Sequence, residues 1–125
     1  MARILVIDDD ADMRSLLDEM LRDGGHEVAL AGDGREGVAK YRANRADLVI
    51  TDLFMPNQEG LETIVELRHD FPNVLIIAMS GKTFARAMLT IATRLGAVEV
   101  LMKPFQPAEL LDAVTRALKL ESRPA

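Results

Sequence analysis

The chain contains no cysteine and no tryptophan, and its aromatic side chains are one Tyr and four Phe. Without cysteine, no disulfide or thiolate-held metal can staple the fold. A domain of 125 residues must then rest on an apolar core, for which that length suffices. So few rings exclude a stacking platform for bases or sugars. Basic charge is also short. Fifteen Lys and Arg stand against twenty Asp and Glu, a net charge of -5 with no Lys/Arg cluster, which argues against a nucleic-acid surface. Apolar runs of transmembrane length are missing as well: the longest, Val74 to Met79, is the length of a strand. No signal-peptide pattern opens the chain. The expectation is a soluble, cytoplasmic domain with no membrane contact, spanning residues 1–121, with 122–125 a frayed tail or the start of a linker.

What the sequence does have is a repeated alternation of short apolar runs and amphipathic stretches. Ile4 to Ile7 is an apolar strand that runs into Asp8-Asp9-Asp10. Met13, Leu16, Leu17, Met20 and Leu21 follow at helical spacing, with Asp10 placed as N-cap and Gly24-Gly25 as the stop. Glu27 to Ala31 alternates as an edge strand does, and a short helix through Val38 and Tyr41 is expected to reach about Arg45. Leu48-Val49-Ile50 is apolar without alternation, the mark of a parallel strand covered on both faces, and it ends in Thr51-Asp52. Met55-Pro56-Asn57 is turn chemistry, and after Gly60 a second amphipathic helix carries Leu61, Ile64, Val65 and Leu67. Val74 to Met79 delivers Ser80-Gly81. A helix from about Phe84 to Leu95 closes at Gly96, Val98 to Met102 leads to Lys103-Pro104, and a last helix starts near Pro107. Five strand–helix alternations predict an α/β domain with a parallel sheet between two helical layers.

Ligands of such sheets bind at the carboxyl ends of the strands. Asp8, Asp9, Asp52, Ser80 and Lys103 all fall there, from four different strands. Each has a plainer role available: helix-start acid for Asp8 and Asp9, turn cap for Asp52, turn hydroxyl for Ser80, solvated loop cation for Lys103. Together they describe a site. Carboxylates about 4 Å apart repel by roughly 4 kcal/mol at an effective dielectric near 20, so three of them call for a cation. An oxygen-only set without His or Cys selects a hard ion, and a small open site suits Mg²⁺. A carboxylate, Mg²⁺ and an ammonium are also what phosphoryl transfer needs, and a carboxylate can itself accept the group as an acyl phosphate.

Asp8-Asp9, Asp52 with Met55-Pro56 and Gly60, Ser80-Gly81, Gly96-Ala97 and Lys103-Pro104-Phe105 resemble, in order and spacing, the receiver domain of two-component response regulators, over essentially the whole chain. The resemblance implies a flavodoxin-like, doubly wound (βα)5 fold, a three-layer sandwich with strand order 2-1-3-4-5. It implies that Asp52 accepts a phosphoryl group from a phosphohistidine on a histidine kinase or histidine phosphotransfer protein. It also implies that Asp8, Asp9, Asp52 and the Phe54 carbonyl hold Mg²⁺, that Ser80 and Lys103 contact the phosphoryl oxygens, and that the Lys103-Pro104 bond is cis. A regulatory rather than enzymatic domain is implied, acting on a downstream protein or output domain, with homodimerisation on phosphorylation within the family's range. The chain departs from the pattern at Val100, three residues before the lysine, where the family usually carries Tyr or Phe. The competing readings are a phosphate-independent interaction module of the same fold, and a phosphatase using Asp8 as nucleophile.

Overall fold

A computed structural model describes residues 1–53, 60–81 and 85–121. Five parallel strands, β1 (Arg3–Ile7), β2 (Glu27–Ala31), β3 (Leu48–Asp52), β4 (Ile76–Ser80) and β5 (Glu99–Met102), form one sheet in the order β2-β1-β3-β4-β5. They alternate with α1 (Ala11–Asp23), α2 (Gly34–Ala43), α3 (Gly60–Asp70), α4 (Ala85–Leu95) and α5 (Pro107–Glu121). None of the described helices is long and apolar enough to cross a membrane.

The unbroken apolarity of the inner strands has a simple cause, which is that both faces of the sheet are covered. Ile4, Val6, Leu48, Ile50, Ile77 and Met79 pack with Leu17 and Leu21 of α1 and Leu110 and Val114 of α5. The alternate residues Leu5, Ile7, Val49, Ile76 and Ala78 pack with Val38, Ile64, Leu67, Leu89 and Ala92 of α2, α3 and α4. Each fully buried Val, Leu, Ile or Met among them contributes about 1.5–3 kcal/mol. Removing both halves of the alternation from water is what holds three layers together.

Helix ends follow their sequence signals. The Asp10 carboxylate accepts from the backbone N–H groups of Asp12 and Met13 at 2.9 and 3.4 Å, as an N-cap does. Asp33 caps α2 through the Glu36 N–H at 2.8 Å, and Glu36 answers by accepting from Gly32 N–H, which holds the Glu36 carboxyl below its ordinary pKa. Gly25 and Gly96 have φ of 90° and 126°, the left-handed conformation that ends a helix cheaply only with glycine. His26 is half-buried. Its Nδ1 accepts from the Ala2 N–H, and burial lowers its pKa.

Several boundaries differ from expectation. The fourth strand starts at Ile76 rather than Val74, because the Val74 N–H closes a turn on the Phe71 carbonyl. The second helix stops at Ala43, where the Asn44 N–H makes the last helical bond to Lys40 in an extended conformation. Leu16 and Val65, assigned by periodicity to apolar faces, lie at the margins of their stripes and are exposed.

Candidate functional site

The register places the site. Ile7 pairs with Thr51, Asp52 with Met79, and Ser80 with Met102, so β1, β3, β4 and β5 end level with one another. Asp8 and Asp9 follow β1, Asp52 and Ser80 close their strands, and Lys103 follows β5 directly. A cleft of about 440 Å³ lies at this edge, lined by Asp8, Asp9, Asp10, Met13, Asp52, Gly81, Lys103 and Pro104.

Carboxylate oxygens of Asp8, Asp9 and Asp52 lie within 4.8 Å of one another. The Lys103 ammonium stands 3.0 Å from Asp8 Oδ2 and 3.5 Å from Asp52 Oδ2. Its stem is pressed against Gly81, where a Cβ would come within 2.9 Å of the Lys103 Cβ. The second oxygens are held by backbone: the Asp10 N–H donates to Asp8 Oδ1 at 3.0 Å and the Leu53 N–H to Asp52 Oδ1 at 2.9 Å. Ser80 is fully buried and its hydroxyl makes no hydrogen bond among the described residues. The Lys103-Pro104 bond is cis.

This donor set could hold a metal ion. It supplies three carboxylates and no nitrogen or sulfur, and the distances let one hard cation touch all three. Among the described residues one ammonium stands against three carboxylates, an excess of negative charge that a divalent ion would offset.

That excess leads to a prediction. At an effective dielectric near 20, Asp52 repels each of its two neighbours by about 3.5 kcal/mol and is attracted to Lys103 by about 4.7 kcal/mol. Over these described charges alone the balance favours its removal, by about 1 kcal/mol once the exposure of Asp9 is allowed for. Asp52→Asn, which keeps an oxygen for the Leu53 N–H, is therefore expected to unfold at higher urea than wild type in chelator-treated buffer. A lower midpoint would show that Lys103 already neutralises the cluster.

All the expected site residues within the described chain come together at this edge. Phe54 lies outside the described residues, as do Met55-Pro56-Asn57 and Lys82. Two contributors were not singled out from sequence. The Arg14 guanidinium donates to the Asp8 carbonyl at 2.7 Å, and the Thr51 hydroxyl donates to the Asp52 carbonyl at 3.0 Å. Both brace the backbone under a site carboxylate. A basic residue one turn into a helix that starts at the site edge is the signal that could have found Arg14. Val100, at the position expected to hold a ring, lies on the edge strand and is exposed.

Comparison with known proteins agrees with this geometry. Residues 4–115 match the family model of the response regulator receiver domain. The chain is 37% identical over 118 residues to the chemotaxis protein CheY of Thermotoga maritima, covering 94% of this chain and 98% of that protein. It is 37% identical over 117 residues to the DNA-binding response regulator MtrA of Mycobacterium tuberculosis, covering 94% of this chain. It spans about half the length of MtrA, 50%. A response regulator receiver domain protein from Clostridium thermocellum superposes with a TM-score of 0.91 at 30% identity, covering 97% of each chain. With its strand order, its acidic edge and these similarities, the chain belongs to the response regulator receiver domain family of two-component signalling.

Proposed function

We propose that this domain is a phospho-acceptor switch, in which Asp52 takes a phosphoryl group from a phosphohistidine on a histidine kinase or histidine phosphotransfer protein. The observation that carries the reading is the convergence of three carboxylates and the Lys103 ammonium, with oxygen atoms within 4.8 Å and the ammonium 3.0 and 3.5 Å from two of them. An Asp52 carboxylate oxygen attacks phosphorus, the phosphorus–nitrogen bond breaks, and its electron pair stays with the departing imidazole. Asp8, Asp9, Asp52 and the Phe54 carbonyl would hold Mg²⁺, Asp8 mainly through water. When bound, that ion supplies charge neutralisation for the phosphoryl oxygens. Lys103 turns from its carboxylates toward the incoming oxygens and pairs with them. Ser80 supplies a hydroxyl, and its lack of a partner among the described residues supports that role, since a buried hydroxyl is otherwise bonded.

The domain, residues 1–121, would work in the cytoplasm. It assists its own phosphorylation and dephosphorylation without an external substrate, and the added charge shifts a pre-existing equilibrium of a protein-interaction surface around α4, β5 and α5. A downstream protein or an output domain reads that surface, with dimerisation on phosphorylation as one form of readout and no nucleic acid touched by the domain itself. The test is intact-protein mass after incubation with a small phosphodonor, with and without Mg²⁺, on wild type and Asp52→Asn. One phosphoryl group that requires both Mg²⁺ and Asp52 is the expected result. Equal labelling of the Asn variant would overturn the assignment of Asp52.

A further inference from the structure

The sheet has two edge strands, and they are finished differently. β5 carries Glu99, which Arg116 of α5 holds at 3.0 Å, and runs into Lys103-Pro104, so charge and proline both disfavour pairing with a further strand. β2 has neither device of its own. From Val28 to Ala31 it contains no charge and no proline. An edge of this kind is a template for strand addition, in which an extended chain takes up the unused backbone groups.

Backbone alternation determines which groups those are. The Glu27 N–H donates to the Ala2 carbonyl at 2.9 Å and the Asp8 N–H to the Ala31 carbonyl at 3.1 Å, so Glu27, Ala29 and Ala31 turn their backbone toward β1. Val28 and Leu30 turn theirs outward. The Gly32 N–H also points outward, being opposite the Ala31 carbonyl in the same peptide unit. Three of these outward groups are occupied, each by a charged side chain from a helix. Arg22 of α1 donates to the Val28 carbonyl at 3.1 Å, Lys40 of α2 donates to the Leu30 carbonyl, and Glu36 of α2 accepts from the Gly32 N–H at 2.6 Å. The two cations reach the edge from opposite layers, since α1 and α2 cover different faces of the sheet. Each is steadied by a carboxylate one helical turn away, Asp18 at 2.7 Å from Arg22 and Glu36 at 3.4 Å from Lys40. Burial does not demand these contacts. The Arg22 and Lys40 side chains are 56% and 47% exposed, and water could serve the same carbonyls.

What a side chain adds over water is an obstacle. We infer that Arg22 and Lys40 are a pair of clamps that close the β2 edge against strand addition, and in the first place against β2 of a second copy of this chain. An antiparallel pair of β2 strands is two-fold, and Val28 of each copy would exchange N–H and C=O bonds with Leu30 of the other. Both acceptors for that exchange are the carbonyls the clamps hold, and the clamping side chains cross the line an incoming strand would take. The clamps involve none of the phosphorylation residues.

The test is sedimentation velocity of the unphosphorylated chain from micromolar to near-millimolar concentration, with backbone amide exchange followed by NMR at both ends of the range. In the double variant Arg22→Ala, Lys40→Ala the expected result is a dimer about tenfold or more tighter than any that wild type forms, with exchange at the Val28 and Leu30 N–H groups slowed as concentration rises. Each single variant is expected to show a smaller effect of the same sign. Loss of two cations from a chain whose net charge is already -5 adds repulsion between copies, so tighter association cannot come from charge alone. Arg86→Ala, Arg94→Ala makes the same change of charge on α4, which packs on β4 and β5, and is expected to behave as wild type. All four positions are exposed, and a thermal unfolding scan shows whether each variant is folded; should the double variant unfold, the single ones carry the comparison. Clamp variants that associate no more than wild type, association that leaves Val28 and Leu30 exchange unchanged, or equal association of the α4 variant would each overturn the inference. None of these outcomes bears on whether Asp52 accepts a phosphoryl group.

Discussion

Lys103→Met is expected to cost about 3 kcal/mol of folding stability in metal-free buffer, and addition of Mg²⁺ is expected to return part of the loss. The lysine side chain is 17% exposed and its ammonium touches a carboxylate, that of Asp8, which is wholly buried. Removing one partner of such a pair leaves the other desolvated without compensation, which costs several kcal/mol, far more than an exposed pair is worth. Methionine keeps the unbranched stem that lies against Gly81, so packing is largely conserved and the deficit reports charge. The change removes the one ammonium that faces Asp8 and Asp52 among the described residues and leaves three carboxylates within 4.8 Å. Any cation that enters the cluster then gains more in the variant than in wild type, and ligand that binds only the folded state raises stability by mass action. Urea unfolding with chelator and with millimolar Mg²⁺ reads both effects. A deficit below about 1 kcal/mol would mean that water already screens the pair, and a deficit unchanged by Mg²⁺ would mean that loss of the ammonium does not strengthen binding of the ion.

The opposite signs expected for Lys103→Met and Asp52→Asn follow from one feature, an excess of negative charge held at a strand edge. A domain built for stability alone would not keep it, and sites built for chemistry commonly do. This excess was legible in the sequence because each acid follows an apolar run too short for anything but a strand. Register then does the rest: parallel strands that begin and end level must bring the residues after them to one edge. Layer order was legible for the same reason, since only a sheet covered on both faces tolerates Ile4 to Ile7 and Leu48 to Ile50 without a polar interruption. What sequence could not supply were contacts that side chains make to backbone atoms. Thr51 on the Asp52 carbonyl leaves no motif, because a carbonyl has no residue identity, and Arg14 on the Asp8 carbonyl leaves only a basic residue in the first turn of a helix. Nor could spacing tell which carboxylate Lys103 would favour, a choice of 3.0 against 3.5 Å that depends on side-chain packing. The displaced start of β4 has a related cause: Val74 and Leu75 are as apolar as the strand, but apolarity records burial and not ladder pairing.

Gly60→Ala is expected to destabilise the fold by about 3 kcal/mol and to impair phosphoryl acceptance in the molecules that remain folded. A Cβ built at Gly60 would lie 2.1 Å from the Asp52 carbonyl oxygen, 2.6 Å from the Leu53 Cα and 2.9 Å from the Asp52 carbonyl carbon. All three are backbone atoms, so no side chain can turn aside, and either the first turn of α3 lifts or the end of β3 moves. Neither is free to do so. The Gly60 N–H donates to the Leu53 carbonyl at 3.2 Å, and the Leu53 N–H is held by the Met79 carbonyl at 3.1 Å as well as by the Asp52 carboxylate. Overpacking of this kind costs about 1–3 kcal/mol where side chains can adjust, and the upper end applies where they cannot. The consequence for chemistry comes from the same atoms. Asp52 is the residue whose backbone is struck, and a displacement of an ångström or less would carry its carboxylate out of line with Lys103 and the other two acids, a scale of misplacement that lowers rates about a hundredfold. Measuring phosphoryl uptake from a small donor under conditions where circular dichroism shows the variant folded separates the two effects. Normal uptake by folded Gly60→Ala protein would show that α3 yields and β3 does not, and a normal urea midpoint would show that the close approach is relieved at no cost.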